Sequence, residues 1–138
     1  MTFVKKTVGA AAVLALVACA TMMAGKKVDV TLTGAEEVPP VSTAARGGGS
    51  FTIGDEGAVS GSVTTTGVNG TMAHIHMGPK GQNGGVIVPL TEDGDTYRAP
   101  AGAKLNEAQM AAFRAGNLYV NVHSAANKGG EVRGQLNP

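Results

Sequence analysis

Three histidines are the residues of this chain whose type and spacing could do chemistry. His74 and His76 stand one residue apart in AHIHMGPKGQNGG, and His123 stands in LYVNVHS. Residues two apart on a β-strand point to the same side of the sheet. The apolar residues that alternate with the histidines should face the core, so all three rings are expected on the outer face. If the two strands are neighbours, the rings converge.

Three neutral imidazoles form a competent ligand set for copper or zinc, with copper favoured by intrinsic affinity. Calcium and magnesium prefer oxygen ligands. An open fourth position would accept water, superoxide or another small anion. Met72 and Met77 are further candidates as soft ligands, although the alternation assigns Met77 to the core. The alternative is that each histidine only hydrogen-bonds a loop carbonyl.

The last predicted hairpin supplies groups that could support such a site. A turn across SAANKG would pair His123 with Glu131 and Asn121 with Arg133. A ligating histidine commonly donates its second N–H to a carboxylate or a carbonyl. Glu131 is therefore the expected orienting carboxylate, Asn121 lies beside it, and Arg133 could attract an anion. Alternatively, Glu131 and Arg133 form an exposed charge pair of little energetic value. No catalytic residue is assigned.

The glycine-rich run GPKGQNGG invites comparison with a phosphate-binding loop. It lacks the G-K-[ST] ending and the strand-to-helix context that such a loop needs. We expect a turn in which glycine supplies positive φ angles, folded over the histidine face.

The remaining elements are short strands and turns. VDVTLTG alternates strictly, SFTIGDEGAVSGSV reads as a hairpin, and GVIVPL reads as a buried strand. LNEAQMAAFRAG predicts one short helix near residues 105–115, capped by Asn106 and ended by Gly116. Closely spaced strands with glycine-rich turns predict an all-β fold, an antiparallel sandwich or barrel.

The N-terminal residues read as a targeting segment. Lys5 and Lys6 precede an uncharged apolar run, which is typical of a secretory signal peptide over residues 1–19, followed by a tether over 20–27 and a domain over 28–138. LVAC, which ends at Cys19, resembles a lipoprotein lipidation site; ordinary cleavage or an uncleaved anchor are the alternatives. The protein is expected to be exported, as a periplasmic or outer-membrane-anchored lipoprotein or as a secreted protein.

Composition excludes several classes of function. Cys19 is the only cysteine, so its lipidation or removal would leave neither a disulfide nor a thiolate ligand. The chain has 11 basic and 10 acidic residues and few aromatics, so we expect no nucleic-acid partner. Membrane contact is expected through the lipid anchor only, and the sequence indicates no particular protein partner.

Four segments carry a resemblance to a known family: LTGAEEVPPVSTAARG, AHIHMGPKGQNGGVIVPL, LNEAQMAAFRAG and GNLYVNVHSAANKGGEVRGQL. Their order and spacing resemble the CHRD domain, named after chordin, over about residues 28 to 136. The resemblance implies an immunoglobulin-like, Greek-key β-sandwich. In chordin these domains belong to an extracellular protein that binds growth factors.

The histidine pattern is also similar to that of copper–zinc superoxide dismutase, whose metal site lies on the exterior of a related β fold. That similarity implies copper-type ligands at His74, His76 and His123, and an anion-guiding role for Arg133. The dismutase family uses a fourth histidine, and this chain has three. The sequence thus leads to two hypotheses: an exported copper- or zinc-binding protein in copper handling or superoxide chemistry, or a non-enzymatic cell-surface interaction module with structural histidines.

Overall fold

The computed structural model of the protein describes residues 24–138. Cys19 and the predicted signal segment lie outside these residues. The described chain contains a 3-10 turn at Gly34–Glu36, a helix α1 at Glu107–Arg114, and these strands: β1 Gly25–Thr33, β2 Arg46–Gly54, β3 Val59–Thr66, β4 Gly70–Met77, β5 Gly85–Pro89, β6 Thr91–Asp93, β7 Thr96–Arg98, β8 Leu118–Ser124 and β9 Val132–Leu136.

The strands form one antiparallel sheet of nine, in the order β5-β4-β8-β9-β1-β2-β3-β7-β6. The sheet curls until its ends approach each other, where the Leu90 backbone N–H donates to the Ala73 carbonyl. The expected all-β antiparallel fold is confirmed, with hydrogen bonding continuous through a nearly closed barrel. One half of this order holds β5, β4, β8 and β9, and the other half holds β1, β2, β3, β7 and β6. The connections from β3 to β4 and from β7 to β8 run between these two halves.

The inner face of this sheet holds the core, as the alternation predicts. Strictly alternating residues of β1 are buried, and so are the inward-facing apolar residues of the β2–β3 hairpin and of β4, β8 and β9, apart from Met77 at the end of β4. Burial of these side chains from water is the main stabilising contribution to such a fold. The largest of the fully buried apolar side chains are Tyr97, Phe51, Leu32, Ile53, Ile75, Leu118 and Leu136.

Helix α1 confirms the expected helix and both of its ends. The Asn106 side chain accepts from the Gln109 backbone N–H at 2.8 Å, and the Gln109 side chain accepts from the Asn106 N–H at 2.9 Å. This reciprocal capping box satisfies two donors that the helix leaves unpaired. Gly116 follows with a φ of 76°, which ends the helix. Met110 and Phe113 bury its apolar side.

Two sequence expectations about burial are wrong. GVIVPL forms β5, which lies at the end of the strand order and is largely exposed; Val86 is 51% exposed and only Val88 is buried. Apolar composition alone does not distinguish a central strand from an edge strand. Met77, assigned to the core, is exposed because it is the last residue of β4.

The first described strand begins before residue 28, where the sequence placed the start of the domain. β1 begins at Gly25, inside the segment expected to be a tether, and Lys26 and Lys27 pair with residues of β2.

Within residues 24–138, no helix combines the length and the apolar character needed to cross a bilayer.

Candidate metal centre

Strands β4 and β8 are hydrogen-bonded neighbours, and their register decides which outer-face side chains meet. His74 lies opposite Asn121, and His76 lies opposite Tyr119. His123 therefore stands one outer-face position along β8 from the partner of His74. This adjacency, which the sequence left open, brings the two histidine segments together.

The three rings form one compact cluster. The distance between His74 Nδ1 and His123 Nε2 is 3.2 Å, and one nitrogen from each ring can be chosen so that all three lie within 4.8 Å of one another. A metal about 2.0–2.1 Å from tetrahedral nitrogen ligands holds those nitrogens about 3.3 Å apart. The first pair already has that spacing, and the 4.8 Å limit means that no pair of ligand nitrogens has to approach by more than about 1.5 Å.

Backbone carbonyls orient two of the rings. His76 Nδ1 donates to the Gly84 carbonyl at 2.9 Å, and His123 Nδ1 donates to the Lys128 carbonyl at 2.7 Å. Because a carbonyl only accepts, each Nδ1 carries the proton. This is the arrangement in which metal-ligating histidines are usually held. The His76 Nε2 lone pair is then unpaired, and the His123 Nε2 lone pair accepts from His74 Nδ1–H at 3.2 Å, a hydrogen bond that a bound metal would replace.

Burial favours the neutral form of two of the rings, His74 and His76. Loss of hydration lowers the pKa of His74, and the neighbouring His123 and His76 lower it further. Loss of hydration also lowers the pKa of His76, against the opposing hydrogen bond to Gly84. Neutral imidazole is the form that binds metal, so both lone pairs stay available below the usual pKa of histidine.

Three buried polar atoms without hydrogen-bond partners lie on this side of the sheet. They are His76 Nε2, Asn121 Oδ1 and Glu37 Oε1, and none has a partner among residues 24–138. The Asn121 side chain neighbours both His76 and Glu37. Buried polar groups are nearly always hydrogen-bonded, so such a group calls for a water or an ion. The donor set therefore fits a metal bound through His76 Nε2.

A loop, Gly78–Gly84, covers the outer face and is called the cover loop below. Arg133 donates to the Pro79 carbonyl at 3.0 Å and to the Gln82 carbonyl at 2.9 Å. The Gln135 amide donates to the Gly78 carbonyl at 2.9 Å. The expectation that this segment folds over the histidines is confirmed, and Gly81 is its residue with positive φ, at 81°. His76, whose Nδ1 contacts this loop at Gly84, is only 7% exposed. His123, whose Nδ1 contacts the β8–β9 turn at Lys128, is 9% exposed.

Tyr119 connects the cover loop to the site. Its ring stacks on His76, with centroids 4.7 Å apart and planes 3° from parallel. The Arg133 guanidinium lies 3.4 Å from the centroid of the same ring, a cation–π contact. The Gly84 backbone N–H donates to the Tyr119 hydroxyl at 3.0 Å. Sequence reasoning gave Tyr119 no role, although its alternation with Asn121 and His123 placed it on the same face.

The structure places the supporting residues differently from the sequence hypothesis. Asn121 does pair with Arg133 across β8 and β9. The Glu131 carboxylate accepts from Ser124 Oγ at 3.4 Å and from Asn127 Nδ2 at 2.9 Å, so it braces the β8–β9 turn while carbonyls orient the rings. Arg133 is 1% exposed and engaged with the cover loop, so it is not positioned to attract an anion from solvent.

Glu37 is a buried carboxyl that sequence reasoning missed. Burial raises its pKa to about 7, and the nearby Arg133 charge and the Asn121 amide only partly oppose this. Glycine is required at position 130, where φ is 124° and a Cβ would clash with the Glu37 carboxylate. Nothing in LTGAEEVPP separates Glu37 from the more exposed Glu36, because their difference in burial arises only in three dimensions.

Comparison with known proteins agrees with the fold. The family model of the CHRD domain matches residues 28–136. No curated protein and no solved structure matches the chain. Since the match spans nearly all of the described residues, the chain belongs to the CHRD domain family.

Proposed function

We propose that this protein is an exported copper-binding protein that holds one copper ion between His74, His76 and His123 and serves in copper handling. The observation that carries the proposal is the buried His76 Nε2, which has no partner within residues 24–138 and belongs to a cluster of three imidazoles. An unpaired buried acceptor costs about 1–3 kcal/mol, and a bound cation would remove that cost.

Ligand chemistry supports copper. The donors are imidazole nitrogens, which suit copper and zinc, and copper binds more tightly at such sites by the Irving–Williams order. The cluster of potential ligands among the described residues contains no carboxylate, so an oxygen-seeking cation is not favoured. Zinc is the competing ion, and metal analysis of the protein purified from its native compartment separates the two.

Holding copper is favoured over superoxide chemistry by the position of Arg133. A guiding cation would need access to solvent, and this guanidinium is buried beneath the cover loop with its N–H groups on backbone carbonyls. The chain also has no fourth histidine. We therefore assign the site to binding and handling of the ion.

Export is proposed from the N-terminal sequence. A basic start, an apolar run and LVAC ending at Cys19 are typical of a bacterial lipoprotein, which would place the domain in the periplasm or on a membrane surface. Incorporation of labelled fatty acid, lost in Cys19→Ala, would support the lipid anchor. Labelling that survives the substitution would contradict it.

The test of copper binding uses the protein purified without a histidine tag from its native compartment. Metal analysis should find about one copper per chain. Calorimetric titration of the metal-free protein should give a single Cu(II) site that His123→Ala weakens at least about 100-fold, because an imidazole ligand and its fixed orientation are both lost. A His123→Ala protein that remains folded and binds copper as well as the wild type would refute the site.

A second function, a cell-surface interaction module with structural histidines, is favoured by one observation. His76 and His123 each hydrogen-bond a loop carbonyl, as structural histidines do. In that case neither the wild type nor His76→Gln should bind copper, and the variant should remain folded because its amide can still donate to Gly84. For the copper protein, the same substitution should weaken copper binding while the protein remains folded.

A further inference from the structure

We propose that Met72 supplies a fourth, thioether ligand, so that the site is a three-histidine, one-methionine centre that prefers Cu(I). This inference rests on the proposed function, since it names the oxidation state that the histidine site holds.

Register places Met72 beside the cluster. Met72 lies opposite His123 across β4 and β8, and it is two residues before His74 on β4. Directly opposite residues share a face, with Cβ atoms about 4.5–5.5 Å apart. Met72 therefore flanks two of the three proposed ligands on the same outer face. Its unbranched side chain is long enough to span that separation.

Burial shows which side of the cluster is open. The cover loop closes the side of His76, which is buried, whereas His74 is only partly buried. Met72 stands on that more open side and is 50% exposed. It does not belong to the apolar core cluster of the described residues. A flexible apolar side chain exposed at the rim of a polar site is free to turn its sulfur inward.

The chemistry of the thioether selects the ion. Thioether sulfur is a soft ligand that favours Cu(I), and imidazole binds both copper states and zinc. With His74, His76 and His123, a thioether would complete four ligands around Cu(I). The same three imidazoles without sulfur would leave an open position and no preference for the reduced ion. The position of Met72 thus deepens the assignment from copper to Cu(I).

Met77 provides a matched control on the same strand. It is the same residue type and is also exposed, at 41%. It pairs with Leu118 across β4 and β8, so it belongs to the face of the sheet that does not carry the histidines. Substitution of either methionine by leucine preserves apolar character and approximate volume. Only Met72→Leu removes a sulfur from the histidine face.

The experiment titrates the metal-free protein with Cu(I) under anaerobic conditions, in competition with a chromophoric Cu(I) chelator. Met72→Leu should weaken Cu(I) binding about 10- to 100-fold, while its affinities for Cu(II) and Zn(II) change less than about 3-fold. Met77→Leu should match the wild type. X-ray absorption at the copper edge should show one sulfur neighbour in the wild type and in Met77→Leu, and none in Met72→Leu.

The failures are distinguishable. Wild-type protein that binds Cu(I) with only nitrogen neighbours, and with equal affinity after Met72→Leu, would overturn the Met72 ligand and leave the histidine site standing. Equal losses in Met72→Leu and Met77→Leu would also overturn it, because the effect would then not depend on the face. A wild type that takes up no copper in either state would overturn both proposals.

Discussion

The two halves of the sheet bury apolar side chains on the inner face in the same way, but they differ in the burial of the polar side chains on the outer face. In β1 the outward residues Lys27, Asp29 and Thr31 are all exposed to solvent. In β8 the outward residues Tyr119, Asn121 and His123 are all buried, although their inner neighbours alternate in the same way. The outer face of β8 is polar and covered, whereas the outer face of β1 is polar and open.

The difference shows which part of this fold bears the free-energy cost of burying polar groups. Polar residues on the open half remain hydrated, so they need no protein partners. On the covered half, polar groups lose water and must find partners, and three buried atoms there lack them within residues 24–138. Proteins retain such costs mainly at functional sites, which is why the covered half is the place to look for chemistry.

Replacing an arginine on each half should give the largest contrast. Arg133→Ala removes the donor of two cover-loop carbonyls and a cation–π contact, so we expect a loss of about 3–5 kcal/mol in the free energy of unfolding. Arg46→Ala, on an exposed position of β2, should cost less than about 0.5 kcal/mol. Urea denaturation measures both. Similar losses would remove the distinction between the halves.

Glu37 should give the covered half a pH dependence of stability. Its pKa is about 7 in the folded state and about 4.5 otherwise, so the folded state holds the proton more tightly. Stability from this group is therefore present at acid pH and is lost as pH rises from about 4.5 through 7. Above that range the loss is on the order of 3 kcal/mol. Glu37→Gln, whose neutral side chain resembles the protonated form, should not lose stability over this pH range.

The measurement compares urea denaturation of metal-free wild type and Glu37→Gln at pH 5.5 and 8.5. The lowered pKa values of the partly buried His74 and the buried His76 reduce stability as pH falls below about 6.5. This effect is the same in both proteins and cancels in the difference. Asp29→Asn, which alters an exposed carboxylate on the open half, serves as the control. If the free energy of unfolding changed equally with pH in the wild type and in Glu37→Gln, the Glu37 carboxyl would be hydrated.

Among the substitutions on the covered half, Glu131→Gln should have the smallest effect. The sequence hypothesis made this carboxylate the orienting partner of a histidine, which would require a 10- to 100-fold loss of copper affinity in Glu131→Gln. Its observed partners are Ser124 and Asn127, so we expect less than about 3-fold change in affinity and about 1 kcal/mol in stability. Calorimetric titration decides between the two values. A large loss would restore Glu131 to the metal site.

The inner face and the helix were predictable because each depends on local pattern. Alternation identified Val28, Val30 and Leu32 as core, and Asn106 before a run of good helix formers marked the start of α1. The same alternation placed the histidines on the outer face. These inferences need only the geometry of a strand or a helix turn, which short stretches of sequence encode.

What the sequence could not supply depends on contacts between distant segments. The burial of Glu37 requires Gly130 and Asn121 from the other end of the chain to pack against it. The position of β5 at an edge depends on strand order, which apolar content does not reveal. The orienting partners of His76 and His123 are main-chain carbonyls, and every residue type has one, so no residue pattern marks them.

Main-chain orientation of the rings separates two kinds of evolutionary change. Because Gly84 and Lys128 contribute carbonyls, the identity of exposed side chains such as Lys80 and Lys128 is free to drift. The number of residues in each loop is constrained. An insertion or deletion between His76 and Gly84, or between His123 and Lys128, would displace the carbonyl that orients each ring. Among relatives, a conserved number of residues between each histidine and its carbonyl partner should therefore identify functional homologues better than conserved residue identity in these loops.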